Sequence, residues 1–373
     1  MSAIITDTLI HNSITMSRVL VIATSRKTRG GITSVIKAYE TSQLWEKYHC
    51  VWIQTHRDGP ALRKMWYFAT AWLEFVFLLP FCDAVHIHSA GKTSAKRKKC
   101  FAQVARVFHK IVIVHFHPSG PEVAFSECSK RLVGGLFDLA DLILVLSPQW
   151  MRWIKEAFPD SNYPMEVLWN PCPQVNRRNE LRKKQILFAA TLCKRKGYDI
   201  LLNAYGKIAH QYPDWRLVFA GNPYLLEGID EMVDCKRIAD ALCIVHQVDF
   251  LGWVDGKEKE RLFQESSIYC LASHSEGFPM GVLEAWAYGL PCVMTAVGGL
   301  TDVVQDGVNG LISPAGDVDI LANQLKKMID NVELRKSIVK ETDKLVSSIF
   351  SIQAVSIRLD EIYNRLIKLR NNA

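Results

Sequence analysis

The sequence predicts an α/β protein with parallel sheets, in a chain long enough for two domains. Short apolar runs are followed by a glycine-containing or polar loop and then by a helical pattern, most clearly after residues 18–24 and 268–272. The chain has 373 residues, which is enough for two domains of ordinary size. Its composition, 49% hydrophobic and 22% charged, is typical of a globular protein.

The positive charge is concentrated in the first half of the chain. Residues 1–165 contain 20 Lys and Arg against 12 Asp and Glu, whereas the remainder contains 25 against 26. A basic half predicts an anionic partner, which is a phosphate group, a membrane surface or nucleic acid. The sequence contains no recognised nucleic-acid module, so we expect no nucleic-acid partner.

The ten cysteines are scattered, without a C-x-x-C pair or the spacing of metal ligands. Together with the lack of a recognisable signal peptide, they predict free thiols, a cytoplasmic location and no metal site. Residues 1–15 show no clear pattern before the first strand, so Met16 is a second candidate for the start of the protein.

The most informative stretch of the chain joins a strand, a loop and a helix. A buried strand is predicted over residues 268–272 and a helix over residues 280–288. The loop between them contains Glu276, and Glu284 lies about one turn into the helix. Such loops bind ligands at the carboxyl edge of parallel sheets, and helix N-termini attract phosphate. The two carboxylates suit a nucleotide sugar, although their spacing alone favours two solvated surface acids.

Residues 276–311 resemble the paired-glutamate motif of retaining family-4 glycosyltransferases and the segments that follow it in that family. The matching letters are E-G-F-P-M-G-V-L-E at 276–284, G-L-P at 289–291, G-G-L-T-D at 298–302 and D-G-V-N-G-L at 306–311. The resemblance implies the GT-B fold, in which two Rossmann-like domains with parallel sheets face each other across a cleft. It implies an acceptor-binding domain at residues 1–175, a nucleotide-sugar-binding domain at 176–351 and a C-terminal helix at 352–373 that crosses back.

The resemblance also assigns donor-binding roles. Glu276 and the backbone after it hold the sugar, and Glu284 accepts hydrogen bonds from the ribose. A Gly-Gly loop after the first strand faces the donor phosphates, and His117 faces the donor sugar, with His115 as the alternative because the register is uncertain by one alternation. The donor-binding residues implied in this way are Gly30, Gly31, Gly277, Phe278, Pro279, Met280, Gly281, Glu284 and Val254, the last at the edge that faces the nucleobase.

Two basic residues, Arg195 and Lys196, are assigned to the diphosphate of the donor, because some family members have a basic pair before a glycine here, as at Gly197. Positive charge is needed there to neutralise the departing diphosphate. The alternative is a basic helix cap exposed to water. This chain departs from the family pattern at Thr191, where many members have an arginine. With Glu276 and His117, these two residues complete the predicted catalytic set.

Residues 65–82 are apolar and aromatic, but Glu74 and Pro80 interrupt them before the length of a membrane-spanning helix is reached. A core helix is the first interpretation, and a helix lying in a lipid interface is the alternative. The basic cluster at residues 92–99 is equally consistent with a solvated helix face and with a surface that contacts anionic lipid.

The sequence therefore predicts a retaining, metal-independent glycosyltransferase that needs no cofactor beyond its nucleotide-sugar donor. The predicted acceptor is a glycan or lipid-linked glycan of surface polysaccharide or lipopolysaccharide synthesis, and an anionic membrane surface is a candidate partner. The predicted location is the cytoplasm, including the inner face of the membrane. A nucleotide-sugar epimerase of the same fold and a non-catalytic nucleotide-sugar-binding scaffold are the alternatives.

Overall fold

The computed structural model describes residues 17–178, 181–223 and 230–372, and its strands form two parallel six-stranded sheets. The first sheet contains β1 (Val19–Ala23), β2 (Val51–Gln54), β3 (Ala84–Ser89), β4 (Ile111–Phe116), β5 (Leu142–Val145) and β6 (Met165–Val167). The second contains β7 (Gln185–Ala189), β8 (Arg216–Ala220), β9 (Val248–Phe250), β10 (Ile268–Leu271), β11 (Cys292–Met294) and β12 (Leu311–Ile312). The predicted α/β architecture with two parallel sheets is confirmed.

The strand orders are β2-β1-β3-β4-β5-β6 and β12-β11-β10-β7-β8-β9. In each sheet the chain starts at an inner strand, β1 or β7, and later crosses to the other side of that strand. This change of direction creates a ligand crevice at the carboxyl ends of the strands. Three strands, β2, β6 and β12, were absent from the sequence-based prediction. All three are short, and the three residues of β6 are only partly buried, so none of them produces a long apolar run.

Helices cover both faces of the sheets, as parallel sheets require. They are α1 (Gly31–Glu40), α2 (Gln43–Lys47), α3 (Ala61–Leu78), α4 (Lys92–Val107), α5 (Pro121–Ala124), α6 (Glu127–Phe137), α7 (Pro148–Ala157), α8 (Tyr198–Ile208), α9 (Glu231–Ala241), α10 (Gly256–Glu265), α11 (Met280–Ala287), α12 (Val318–Asp330), α13 (Val332–Leu345) and α14 (Ile352–Asn371).

The C-terminal helix α14 packs on the first sheet although it follows the second. Its buried apolar side chains are Val355, Leu359, Ile362, Tyr363 and Ile367, and they belong to the same core as β1 and α1. A π-helical turn, Val346–Phe350, precedes α14, and the Cys172 N–H donates to the Phe350 carbonyl oxygen at 2.6 Å. The two segments that connect the halves of the chain therefore lie against each other.

The first interpretation of residues 65–82 as a core helix is wrong. Only Ala71 and Phe75 of α3 are buried. The opposite face exposes a row of large apolar side chains at helical spacing, which we name the α3 stripe: Leu62, Met65, Trp66, Leu73, Val76 and Phe77. Within the described residues, no helix is long and apolar enough to cross a membrane.

The basic cluster at residues 92–99 also differs from a solvated face. It lies in α4, where Lys92 and Lys96 are exposed but Lys98 is completely buried. The Lys98 ammonium group donates to the carbonyl oxygen of His88 and to the Ser94 hydroxyl oxygen. The cluster thus divides between the surface and the interior of the first domain.

Candidate functional site

A cleft of about 480 Å³ lies between the two sheets, and the predicted site residues converge on it. All of them line the cleft except Arg195. The convergence has a topological cause, because the loops that follow β1, β4, β7 and β10 all leave the carboxyl edges of their sheets.

Glu276 is the centre of a charged cluster on the side of the second sheet. Its Oε1 accepts hydrogen bonds from the Lys196 Nζ at 2.5 Å and from the Ser273 hydroxyl at 2.6 Å. Glu276 is only 5% exposed, so these hydrogen bonds, rather than solvent, surround the carboxylate. Lys196 ends the 3₁₀ turn after β7, and β7 pairs with β10, so the two loops meet.

Arg195 lies behind the Glu276 loop rather than in the cleft lining. Its Nη1 donates to the Ser275 carbonyl oxygen at 2.7 Å and stands 3.6 Å from the Glu276 Oε2. In this position the guanidinium group stabilises the loop that contains Glu276, because it binds the backbone of that loop. Its role toward the diphosphate stays a prediction.

Glu284 projects into the cleft from α11 and is paired with a cation that the sequence did not reveal. The Lys259 Nζ donates to the Glu284 Oε1 at 2.7 Å, and both residues line the cleft. Lys259 belongs to α10, whose sequence G-K-E-K-E-R-L-F-Q-E is charged on several sides. No local pattern distinguishes Lys259 from the neighbouring lysine and arginine side chains.

The loop after Glu276 is held against the first domain. The indole Nε1 of Trp150 donates to the Gly277 carbonyl oxygen at 3.0 Å, and the Asn170 amide donates to the Phe278 carbonyl oxygen at 3.3 Å. A Cβ atom at Gly277 would lie 2.0 Å from the Pro118 carbonyl oxygen, so this approach requires glycine. These contacts fix the width of the cleft at this point.

The glycine loop forms the opposite wall. Gly31 begins α1, and no side chain caps this helix, so its first N–H groups are free to meet an anion. Arg29 places its guanidinium carbon 4.3 Å from the ring centre of Trp253, which joins the two halves of the chain across the cleft. Trp253 immediately precedes Val254 and is a second cleft residue that the sequence did not single out.

The cleft is lined by positively charged side chains, although Thr191 stands where many family members have an arginine. Thr191 lines the cleft, as do Arg29, Lys196 and Lys259. The last two are paired with Glu276 and Glu284. A phosphate group bound here would therefore meet cations already positioned by carboxylates.

His117 lines the cleft, whereas His115 is fully buried behind it. The His117 Nε2 and the His88 Nδ1 are 3.0 Å apart and share a hydrogen bond. Burial lowers the pKa of His117 to about 3, with smaller lowering by His86 and Lys98, so the ring is neutral at physiological pH. A neutral imidazole both donates and accepts hydrogen bonds, which suits contact with sugar hydroxyls.

Comparisons with known proteins agree with the fold. Residues 174–345 match the family "Glycosyl transferases group 1". An uncharacterized glycosyltransferase of Haemophilus influenzae is 29% identical over 216 residues, which cover 58% of this chain and 59% of that protein. An uncharacterized glycosyltransferase of Methanocaldococcus jannaschii is 23% identical over 304 residues, 80% of this chain and 73% of that protein. The chain thus spans less than two thirds of the Haemophilus relative.

Two solved structures share the fold over nearly the whole chain. HepE of Anabaena in complex with UDP and glucose has a TM-score of 0.73 at 18% identity, covering 93% of this chain and 99% of HepE. Sucrose-phosphate synthase of Thermosynechococcus elongatus has a TM-score of 0.77 at 16% identity, covering 95% of this chain and all of that chain (100%). The chain has the GT-B fold, and its residues 174–345 are similar to the group 1 glycosyl transferases.

Proposed function

We propose that the protein is a retaining glycosyltransferase that uses a nucleotide-sugar donor. The observation that carries this proposal is the pairing of two carboxylates with two lysines in one cleft, Glu276 with Lys196 and Glu284 with Lys259. A nucleotide sugar has hydroxyl groups that a carboxylate binds and phosphates that a lysine binds. Neither the epimerase nor the scaffold alternative has a specific contact in its favour.

The proposed reaction needs no general base from the protein. The acceptor hydroxyl oxygen bonds to the anomeric carbon from the face that the diphosphate leaves. The bond between that carbon and the diphosphate oxygen breaks with its electron pair on the oxygen, which takes the hydroxyl proton. Lys196 stabilises the charge that develops on the diphosphate, and the free N–H groups of α1 add to this stabilisation. Metal-independent transfer follows from this use of cationic side chains.

Uridine is the first base to test, because HepE was solved with UDP and glucose. In the proposed pose the ribose hydroxyls donate to Glu284 in place of the Lys259 ammonium group. The Lys259 side chain is 36% exposed, so it is free to turn toward a phosphate. The base then lies beside Trp253 and Val254 at the edge of the second sheet.

We expect UDP or a UDP-sugar to raise the melting temperature of the wild-type protein, and Glu284→Ala to abolish most of this shift. A ligand at about 100 times its Kd stabilises the folded state by about 2.7 kcal/mol. Loss of hydrogen bonds to a charged group costs about 1.5–3 kcal/mol, which weakens binding by roughly 10–150-fold. The measurement is differential scanning fluorimetry against nucleoside diphosphates and nucleotide sugars.

Glu265→Ala is the matched control for this measurement, because Glu265 pairs with Lys183 at 2.6 Å and does not line the cleft. It should keep the full ligand-induced shift. If no nucleotide or nucleotide sugar stabilises the wild-type protein, the donor site is wrongly assigned.

We also propose that the first domain docks on an anionic membrane through the α3 stripe and receives a lipid-linked glycan acceptor there. Trp66 is 69% exposed and Phe77 is 74% exposed, and both would be costly to leave in water. Arg63 and Lys64 lie exposed in the same helix and would contact lipid headgroups. Such docking would place the protein on the inner face of the membrane, in surface polysaccharide synthesis.

We expect the wild-type protein to float with anionic liposomes at low salt, and the Leu73→Ser/Phe77→Ser variant to remain in the soluble fraction. Each large side chain contributes about 1.5–3 kcal/mol when it leaves water, so losing two weakens binding by more than 100-fold. The control is Val233→Ser/Ile320→Ser, which removes exposed apolar side chains of the second domain. Equal flotation of both variants, or none by the wild type, would rule out docking through α3.

A further inference from the structure

Four histidines lie on one face of the first sheet, between the cleft and α14. His86 and His88 belong to β3. His115 is the last but one residue of β4, and His117 follows that strand. In the parallel register His88 is opposite His115, so the alternating residues of both strands point to the same face. Their ring centres are 4.1–5.5 Å from those of their neighbours.

Three of these histidines contain nitrogen atoms without a hydrogen-bond partner. The unpartnered atoms are the Nε2 of His86, the Nε2 of His88 and both ring nitrogens of His115. All three residues are at most 1% exposed. An unpaired buried polar atom costs about 1–3 kcal/mol, and a group of them at one place indicates a missing ligand.

We propose that His86, His88 and His115 bind a transition-metal dication of the Zn²⁺ class. One nitrogen from each ring lies within 4.8 Å of the other two. Imidazole nitrogen is a preferred ligand of Zn²⁺, and three histidines with one open position form a known type of zinc coordination. The site is separate from the donor cleft and does not depend on the proposed transfer reaction.

Two of the three rings have a group that would orient them toward the metal. The His86 Nδ1 is 2.6 Å from the Tyr363 hydroxyl, and the His88 Nδ1 is 3.0 Å from the His117 Nε2. Histidines that bind metals usually donate their second N–H in this way.

Metal binding requires a small rotation of the rings. His86 and His88 are stacked with an angle of 27° between their planes, so their lone pairs do not yet meet at one point. A tetrahedral Zn²⁺ with nitrogen atoms at about 2.0–2.1 Å brings those nitrogens to roughly 3.3 Å from one another. The χ2 torsion of histidine is broad, so the torsion itself allows this rotation.

The neighbouring Lys98 is engaged elsewhere, because its Nζ donates to the His88 carbonyl oxygen and to the Ser94 hydroxyl oxygen.

Metal binding would determine which ring nitrogens of His88 and His117 carry a proton. When the His88 Nε2 binds a metal, its Nδ1 carries the proton and donates to the His117 Nε2. The proton of His117 then lies on Nδ1. The site thus determines which hydrogen bonds His117 can offer in the cleft, and His88 is a positioning residue for it.

The test uses the full chain carrying a purification tag without histidines, stripped with a chelator and titrated with Co²⁺. We expect one Co²⁺ per chain, visible d–d absorption bands of a four-coordinate site, and displacement of Co²⁺ by Zn²⁺. In His86→Gln and His115→Gln the affinity should fall by more than the roughly 10–100-fold that is typical for loss of an outer hydrogen bond. His210→Gln/His246→Gln, which changes two exposed histidines, should bind as the wild type does.

A wild-type readout keeps the test decisive if the buried variants do not fold. Among the eleven histidines, the imidazole nitrogen resonances recorded with and without Zn²⁺ should shift strongly for the three ligands and less for His117. The proposal is overturned if the stripped wild type gives no Co²⁺ bands. It is equally overturned if the bands persist in folded His115→Gln or vanish in the surface control, because the metal is then bound elsewhere.

Discussion

Glu276→Gln should lower kcat/KM by about 10- to 100-fold while the protein stays folded. Glutamine keeps the shape of the side chain and can still accept a hydrogen bond from Ser273, but it removes the charge that holds Lys196. A hydrogen bond to a charged group contributes up to about 3 kcal/mol, and each 1.4 kcal/mol corresponds to about tenfold in rate. The loss should appear mainly in kcat, because the carboxylate orients the sugar as the bond to the diphosphate breaks.

The measurement is nucleoside diphosphate release with the donor identified by fluorimetry, together with the melting temperature of each variant. Glu265→Gln is the control, since Glu265 also forms an ion pair with a lysine but lies outside the cleft. It should keep near wild-type activity. Wild-type kcat/KM in Glu276→Gln would remove Glu276 from the catalytic set.

Gly277→Ala should reduce both stability and activity, because the added methyl group has no room. Its Cβ would lie 2.0 Å from the Pro118 carbonyl oxygen, and a backbone atom cannot move aside as a flexible side chain does. The loop after Glu276 would have to move away from the first domain. This movement would weaken the hydrogen bond from the Trp150 indole to the Gly277 carbonyl oxygen. Overpacking costs about 1–3 kcal/mol, and a displacement of about 1 Å at a reacting group can cost 100-fold in rate.

Gly135→Ala is the matched control, because the nearest atom to its new Cβ is the flexible end of Lys99 at 2.5 Å. Gly135 lies inside α6, where alanine favours the helix by about 1 kcal/mol over glycine, so the melting temperature should stay the same or rise. Melting temperature and kcat/KM are measured for both variants. Unchanged values in Gly277→Ala would show that the two domains do not meet here in solution.

The sequence carried most of the information about individual strands, helices and loops. The apolar run before Ser273 and the glycine after Tyr288 bounded β10 and α11 closely, because strand burial and helix capping are local properties. The regular apolar spacing of residues 352–369 likewise predicted α14. The same spacing could not say what covers an apolar face. In α3 that face meets solvent, and only the packing of Phe75 on the sheet decides which side is buried.

The sequence by itself determined the α/β class and the place of most strands and helices, since these depend on neighbours within a few positions. The candidate roles of Glu276 and Glu284 came from the resemblance of residues 276–311 to a family motif, because their spacing alone does not distinguish them from surface acids. Tertiary structure alone decided the partners of these carboxylates. Lys196 is 80 residues from Glu276, and Lys259 is 25 residues from Glu284. His88 and His117, 29 residues apart, meet because β3 and β4 pair in parallel register. Contacts of this kind have no local sequence signal, because the strand order that brings them together is set by the packing of the whole sheet.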